Sequence, residues 1–267
     1  MHPIHEQFIA KALPVFQADA RIVGVAAGGS WLTRSMDEFS DIDLVISVSP
    51  EFVGSIMGER RAIAAKLGHL LAAFTGEHVN EPRLLICLYG PPLLHVDLKF
   101  VAAPDMANRV EDPAVLWERD DQISAYIAQK PARYPAPDIQ WIEDRFWVWV
   151  HYAATKLGRG EIFEVIEFIS FLRQNVIGPL VLMRHGHTPS GVRRIEMKAV
   201  DQLPSLIQTV PQYHAVSCAA AVKTLIALYQ DLRDYYEKPG LVKHGEAERE
   251  SVKYLEEISA RLSDQEE

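Results

Sequence analysis

Three aspartates in the first hundred residues have the chemistry and spacing of a metal site. Asp41 and Asp43 are separated by one residue, so on a strand their side chains would point to the same face. Two neighbouring carboxylates repel each other unless a cation lies between them. Asp97 lies in a segment where polar and apolar residues alternate, and pairing of the two strands would bring it to the same surface. Because Mg²⁺ prefers hard oxygen ligands, the pattern predicts a magnesium site, with a solvated polar strand face as the alternative.

A glycine-rich turn lies ten residues before this pair. Residues 28–30 read Gly-Gly-Ser directly after an apolar strand-like run. Taken alone, this sequence is explained by a tight turn without any function, since such turns commonly contain glycine and serine. Together with the ten-residue spacer and the Asp-Ile-Asp-Leu sequence of residues 41–44, it resembles the signature of the nucleotidyltransferase superfamily. That superfamily includes the kanamycin, streptomycin and lincosamide adenylyltransferases, the minimal nucleotidyltransferases and the polymerase-β-like enzymes. The resemblance is specific over residues 22–48 and is supported by Asp97.

The resemblance implies roles for the residues that match it. Gly29 would let the backbone approach a nucleoside triphosphate, and Ser30 would donate to phosphate oxygens. Asp41 and Asp43 would hold Mg²⁺, and Asp97 would complete a second metal position or accept the proton of the attacking hydroxyl. The implied donor is a nucleoside triphosphate, with ATP expected, and the implied leaving group is pyrophosphate.

Basic residues supply further candidates for phosphate binding. Arg34 follows the turn and is a candidate phosphate clamp, with a solvated loop cation as an equal alternative. In the C-terminal half, Arg145, Trp149, Tyr152 and Lys156 share one face of a predicted helix. That face would stack a base and bind phosphates, or it would be a packing face with cations reaching solvent. Lys156 is the residue of this face predicted to bind the nucleotide.

Other polar residues carry weaker hypotheses. Glu143, Asp144 and Glu161 are candidate bases or acceptor-binding groups, and carboxylates near helix N-termini are the alternative. His185 and His187 lack a third ligand at suitable spacing, so no zinc site is predicted there.

Strands and helices alternate in the N-terminal half. Ile63, Leu67, Leu70, Leu71 and Phe74 recur at helical spacing and predict a core-facing stripe. Gly and Pro at residues 90–92 indicate a turn between two strands. The predicted elements are a helix over 3–17, strands over 21–27 and 41–48, a helix over 51–74, and strands over 84–89 and 93–100.

A proline-rich segment over residues 130–137 predicts a linker. Beyond it the apolar periodicity is helical, with helices predicted over 139–157, 161–176, 178–185, 216–237 and 247–262. The predicted fold is an α/β (α+β) nucleotidyltransferase domain with a mixed β-sheet over residues 1–130. An α-helical bundle domain over 131–267 would follow and contribute to nucleotide and acceptor binding.

Composition restricts the class of protein. With 267 residues, 48% hydrophobic content and 24% charged content, the chain is expected to be globular rather than disordered. The net charge of −9 argues against a general nucleic-acid partner and favours a small cationic one. Cys87 lies in an apolar strand-like run, which predicts a buried thiol. It is far from Cys218 in the sequence, and this cysteine usage is expected of a reducing cytoplasm. Neither a signal peptide nor a membrane span is expected, because residues 202–222, the longest charge-free run, contain two prolines and many polar groups.

The predicted function is Mg²⁺-dependent transfer of a nucleoside monophosphate to a hydroxyl of a small molecule, such as an aminoglycoside-like antibiotic. The acidic pairs at residues 111–112 and 120–121 would suit protonated amines. Modification of a protein or a tRNA, as in toxin–antitoxin nucleotidyltransferases, is a second hypothesis. A non-catalytic nucleotide-binding module is a third.

Overall fold

The computed structural model describes residues 2–264. It divides the chain into two compact units, Met1–Tyr134 and Pro135–Glu267. The proline-rich segment over residues 130–137 spans this division and contains no helix or strand up to residue 138.

The first unit is built on one mixed six-stranded sheet with strand order β3-β4-β5-β2-β1-β6. Only the β2–β5 pair is parallel; the other four neighbouring pairs are antiparallel. The strands are β1 (Ile22–Ala27), β2 (Ile42–Val48), β3 (Leu70–Gly76), β4 (Glu81–Tyr89), β5 (Leu94–Ala102) and β6 (Ala114–Glu118). The helices are α1 (Pro3–Ala18), α2 (Val53–Ala65) and α3 (Gln122–Ile127).

The core of this unit lies between the sheet and the helices α1 and α2. Phe16 of α1 and Ile56 of α2 are fully buried and join one apolar cluster with Ile42 and Leu98 of the central strands. Along β5 and the first half of β2, buried apolar residues alternate with half-buried or exposed ones, among them Asp43, His95 and Asp97. The sheet therefore has one apolar face that packs against α1 and α2. The opposite face carries these polar side chains and a smaller apolar cluster that includes Val101 and Ile123.

The helix predicted over residues 51–74 is wrong in its last third. The α-helix ends at Ala65, and residues 70–76 form the edge strand β3, which pairs with β4. Ile63 and Leu67 are buried as expected, whereas Leu71 and Phe74 are 46% and 56% exposed. A short apolar run fits both periodicities, and pairing with β4 decides between them.

The strand β6 was not predicted from the sequence. Its residues are only partly buried, and it pairs antiparallel to β1 as the other edge of the sheet. A half-buried edge strand of five residues has a weak hydrophobic pattern, so its position follows from backbone hydrogen bonding to β1.

The second unit is helical. Its core contains the fully buried side chains of Phe146, Trp147 and Tyr229. The helices are α4 (Ile139–Gly158), α5 (Ile162–Leu172), α6 (Gly178–Arg184), α7 (Ile195–Lys198), α8 (Leu203–Gln208), α9 (Ala215–Tyr235) and α10 (Gly245–Asp264), with a π-helical turn at Arg173–Ile177. A mixed-sheet α+β part followed by a helical part confirms the predicted fold class.

Two helical stretches of this unit are long and apolar enough to cross a membrane by length and composition. They are Ile162–Arg184 and Ala215–Tyr235, and 56% and 50% of their most apolar windows are buried inside the protein. Burial of this kind is the ordinary property of core helices, so the two stretches are interpreted as the interior of the helical unit.

Candidate active site

The parallel register of β2 and β5 brings two of the three predicted aspartates together. Asp43 pairs directly with Asp97, next to the Ile42–Val96 pair. Because neighbouring residues on a strand point to opposite faces, Ile42 and Val96 are buried in the core while both carboxylates lie on the polar face. The expected pairing of these two strands is therefore confirmed.

Asp41 joins this pair from the residue just before β2. One ligand oxygen of each of Asp41, Asp43 and Asp97 lies within 4.8 Å of the others, and all three residues are half-buried. In residues 2–264 this is the one such group of three metal-ligand side chains. Three carboxylates at this separation repel one another, so a divalent cation would stabilise the arrangement.

His95 lies beside the third carboxylate on the same strand. Its ring Nε2 is 3.0 Å from Asp97 Oδ1, and the His95 side chain is half exposed. This contact orients the Asp97 carboxylate. The alternating pattern of β5 predicts that His95 lies on the polar face, but it does not predict the contact between His95 and Asp97.

The glycine-rich turn is fixed next to Asp43. The Gly28 N–H donates to the Asp43 carbonyl oxygen at 3.0 Å, because the end of β1 lies beside the start of β2. Gly29 has φ +60, and a Cβ there would lie 2.0 Å from Asp43 Oδ2. Position 29 therefore requires glycine both for its left-handed backbone and for the close approach of the carboxylate.

The turn and the carboxylates fit a metal-bound phosphate. Ser30 Oγ is buried and has no hydrogen-bond partner in the described protein. A buried hydroxyl without a partner is costly, and an oxygen of a ligand would supply one. The three carboxylates offer oxygen ligands of the kind that Mg²⁺ prefers. The glycines of the turn leave room for a phosphate to approach the backbone beside them.

The loop that joins the turn to Asp41 is held by α1. The buried His5 side chain on that helix has its Nε2 2.9 Å from the carbonyl oxygen of Ser40. Arg34, in the same loop, is exposed and has φ +52. Its predicted role as a phosphate clamp stays a prediction.

Glu111 is an acidic residue at the turn that sequence reasoning assigned only to acceptor binding. The Gly29 N–H donates to Glu111 Oε1 at 2.9 Å. A Cβ on Gly28 would lie 3.0 Å from Glu111 Oε1 and 3.9 Å from Asp43 Cβ, so the two acidic side chains are neighbours. The other predicted acceptor carboxylate in this segment, Asp112, is paired with Arg109.

In the second unit, Lys156 is bound by two carboxylates. Its Nζ lies 2.6 Å from Glu161 Oε2 and 3.0 Å from Glu164 Oε2, and both hydrogen bonds raise the pKa of Lys156. The ammonium also lies over the Tyr152 ring, 5.2 Å from its centroid. Tyr152 itself donates to Glu164. The predicted role of Lys156 in nucleotide binding stays a prediction.

The aromatic face expected on α4 is largely a packing face. Trp149 packs edge-on against Phe171 and Trp141, and the Arg145 guanidinium stacks over the Trp141 ring. These contacts favour the packing alternative for Arg145 and Trp149.

Glu143 has a structural position in the helical core. It is 1% exposed and accepts hydrogen bonds from Tyr229, Trp147 and the His244 N–H. Burial raises the pKa of Glu143, but these hydrogen bonds and the charge of Arg233 outweigh it and lower the pKa below its ordinary value. Glu143, a candidate base from the sequence, is therefore a buried residue in an ion pair with Arg233. Its neighbour Asp144 is exposed, and His244 lies 3.0 Å from it.

Both ring nitrogens of His185 have partners within the helical unit. His185 Nδ1 lies 2.8 Å from the Val181 carbonyl oxygen, and its Nε2 lies 2.8 Å from Asp201 Oδ1.

Comparisons with known proteins give structural similarities only. No family model matches the chain, and no curated protein matches it. Among solved structures, an aminoglycoside 6-adenyltransferase from Bacillus subtilis is 17% identical, covering 95% of this chain and 98% of that one, with a TM-score of 0.40. A nucleotidyltransferase-like protein from Exiguobacterium sibiricum is 14% identical, covering 85% and 75%, also with a TM-score of 0.40.

Proposed function

We propose that this protein is a Mg²⁺-dependent nucleotidyltransferase that transfers a nucleoside monophosphate, AMP from ATP, to a hydroxyl group with release of pyrophosphate. One observation carries the proposal: Asp41, Asp43 and Asp97 present ligand oxygens within 4.8 Å of one another, directly beside the Gly29–Ser30 turn. Carboxylates that converge next to a turn with a buried, unpartnered hydroxyl suit a metal-bound triphosphate better than a solvated strand face.

The residues of the site have distinct tasks in this reaction. The Gly29 N–H and the Ser30 hydroxyl donate to phosphate oxygens of the triphosphate. Asp41 and Asp43 hold the cation with Asp97, and Mg²⁺ bound there supplies charge neutralisation of the phosphates and of the leaving pyrophosphate. Asp97 accepts the proton of the acceptor hydroxyl. The hydroxyl oxygen bonds to the α-phosphorus as the bond to the β-phosphate oxygen breaks.

The proposed acceptor is a small hydroxyl-bearing molecule with protonated amines, of the aminoglycoside type. The net charge of −9 and the exposed acidic residues Glu111 and Asp120 support a cationic rather than an anionic acceptor. The buried thiols Cys87 and Cys218 are unpaired, which supports a reducing, cytoplasmic location.

The test is pyrophosphate release with each of ATP, CTP, GTP and UTP, with and without Mg²⁺, against a panel of aminoglycosides. Asp43→Asn is compared with Glu51→Gln as the control, since each removes one carboxylate from the first unit. Glu51 is exposed and follows β2 at the end away from Asp43. We expect Mg²⁺-dependent release with ATP that Asp43→Asn abolishes and Glu51→Gln retains. Full activity of Asp43→Asn would overturn the metal assignment.

Nucleotide-binding measurements on the same proteins, combined with pyrophosphate release, separate the two alternative functions. Nucleotide binding without pyrophosphate release for any small acceptor, but with labelled nucleotide on protein or tRNA, would favour the toxin–antitoxin type. Binding of a nucleotide that Asp43→Asn leaves unchanged would favour a non-catalytic module.

A further inference from the structure

A carboxylate occupies the backbone donor that the proposed function gives to phosphate. Glu111 Oε1 accepts from the Gly29 N–H at 2.9 Å, and the hydrogen bond joins residues 82 positions apart. A carboxylate oxygen and a phosphate oxygen are equivalent acceptors for an amide, since both are anionic. The same donor cannot serve both at full strength.

The placement of Glu111 follows from the strand β6. Ala114 at the start of β6 pairs with Ala27 at the end of β1, so the preceding residues run past the turn. Arg109 fixes this segment from the other side, because its guanidinium binds Asp112 and donates to the Lys130 carbonyl oxygen at 2.8 Å. The backbone around Glu111 is anchored while its own side chain is exposed.

Glu111 also adds a fourth negative charge to the cluster. Its carboxylate lies next to Asp43 across Gly28, at the positions given above. Neighbouring carboxylates repel each other, so the hydrogen bond from the Gly29 N–H holds Glu111 in place against electrostatic repulsion from Asp43. Because this hydrogen bond is exposed to solvent, another anion can readily replace the Glu111 carboxylate as the acceptor of the Gly29 N–H.

We propose that Glu111 is a displaceable occupant of the Gly29 amide: the triphosphate of an incoming nucleotide replaces it, so that Glu111 sets the affinity of the turn for anions. The proposal rests on the proposed function for the identity of the ligand. It gives Glu111 a role in tuning nucleotide affinity and selecting against weaker anions, without direct contact with the reacting atoms.

The experiment titrates tripolyphosphate and, separately, ATP, each with and without Mg²⁺, into the wild type, Glu111→Ala, Glu111→Gln and Glu51→Gln. Tripolyphosphate presents the phosphates without a nucleoside. Glu51→Gln is the matched loss of one charge, since Glu51 is exposed and follows β2 at the end away from Asp43. Thermal unfolding of each variant shows whether the fold is kept.

We expect Glu111→Ala to bind tripolyphosphate about tenfold more tightly than the wild type, because the amide is free and one repulsive charge is gone. Glu111→Gln loses the charge but keeps an acceptor for Gly29, so its gain should be smaller. Glu51→Gln should match the wild type. Backbone amide hydrogen exchange at Gly29 should be faster in Glu111→Ala and slow again when tripolyphosphate binds.

Equal or weaker binding by a folded Glu111→Ala would overturn the proposal and make Glu111 a fixed part of the turn. Equal gains in Glu111→Ala and Glu111→Gln would also overturn it, because charge alone would then explain the effect. If the wild type binds ATP and the variants show no gain, the inference fails and the proposed function stands. If Glu111→Ala binds tripolyphosphate more tightly while no protein binds a nucleotide, the inference stands and the proposed function fails. Absence of binding in all four proteins would refute both.

Discussion

Replacing Gly29 with alanine tests the steric basis of the site. Gly29 has φ +60, and a Cβ at this position would lie 2.0 Å from Asp43 Oδ2 and 3.1 Å from its Cγ. The left-handed backbone alone costs an alanine about 1–2 kcal/mol. The overlap with Oδ2 adds a second effect, since the Asp43 carboxylate must leave its position in the group of three aspartates.

Gly160 provides the matched control. It follows α4, has φ +70, and a Cβ there would meet no atom within 4 Å. Gly160→Ala therefore carries the backbone cost of about 1–2 kcal/mol without the overlap. Gly29→Ala is therefore expected to lose at least as much free energy of unfolding as Gly160→Ala, and only Gly29→Ala is expected to bind MgATP more weakly.

The assay combines urea unfolding with calorimetric titration of MgATP. We expect Gly29→Ala to bind MgATP at least tenfold more weakly than the wild type, a loss of about 1.4 kcal/mol or more, and Gly160→Ala to bind normally. Wild-type affinity in a folded Gly29→Ala would refute the reasoning, because it would mean that the close approach of Gly29 to Asp43 does not shape the site.

Two further predictions concern charged groups away from the carboxylate cluster. Glu143→Gln should lower the free energy of unfolding by about 1–3 kcal/mol in urea titrations, because it removes one of the carboxylates that pair with the buried Arg233 guanidinium. Arg233 Nη1 is 3.3 Å from Glu143 Oε1, and its ion pair with Glu248 at 2.7 Å limits the loss. The neighbouring exposed variant Asp144→Asn should change the unfolding midpoint little, and equal losses in both would contradict the buried-pair argument. In the first unit, Arg83 is the main cause that lowers the pKa of Glu81 to about 2 from an ordinary 4.5. Since the folded pKa is the lower one, this contribution is present above pH 4.5 and is lost as the pH falls toward 2. With allowance for the partial exposure of the pair, the lowered pKa of Glu81 contributes about 1–2 kcal/mol to the free energy of unfolding. Glu81→Gln should therefore lose this part of the acid dependence when unfolding is measured between pH 6 and 2.5. The same acid dependence in both proteins would contradict it.

Local patterns were sufficient for the central strands and the long helices of the second unit, but they missed its short helices α7 and α8. Alternation along β5 separated Val96 and Leu98 from His95 and Asp97, and the structure has them on opposite faces. The long helices α4, α9 and α10 end within a few residues of their predicted limits, because amphipathic periodicity over five turns is a strong signal. Residues 70–74 were wrongly assigned to a helix, since a short and mostly apolar run fits a helix and an edge strand equally well.

The sequence by itself determined which residues have the chemistry of the site: two aspartates that share a strand face, a third on an alternating strand, and a turn that admits a close backbone. These are local properties, because the pleat of a strand and the absence of a Cβ depend only on neighbouring residues. Only the tertiary structure decided that Asp43 and Asp97 stand opposite each other, since a one-residue shift in the β2–β5 register would have moved Asp97 to the core face. It also decided that Glu111 reaches Gly29 and that Glu143 is buried against Arg233. Contacts between residues 80 or more positions apart depend on how strands and helices pack, which no local pattern specifies.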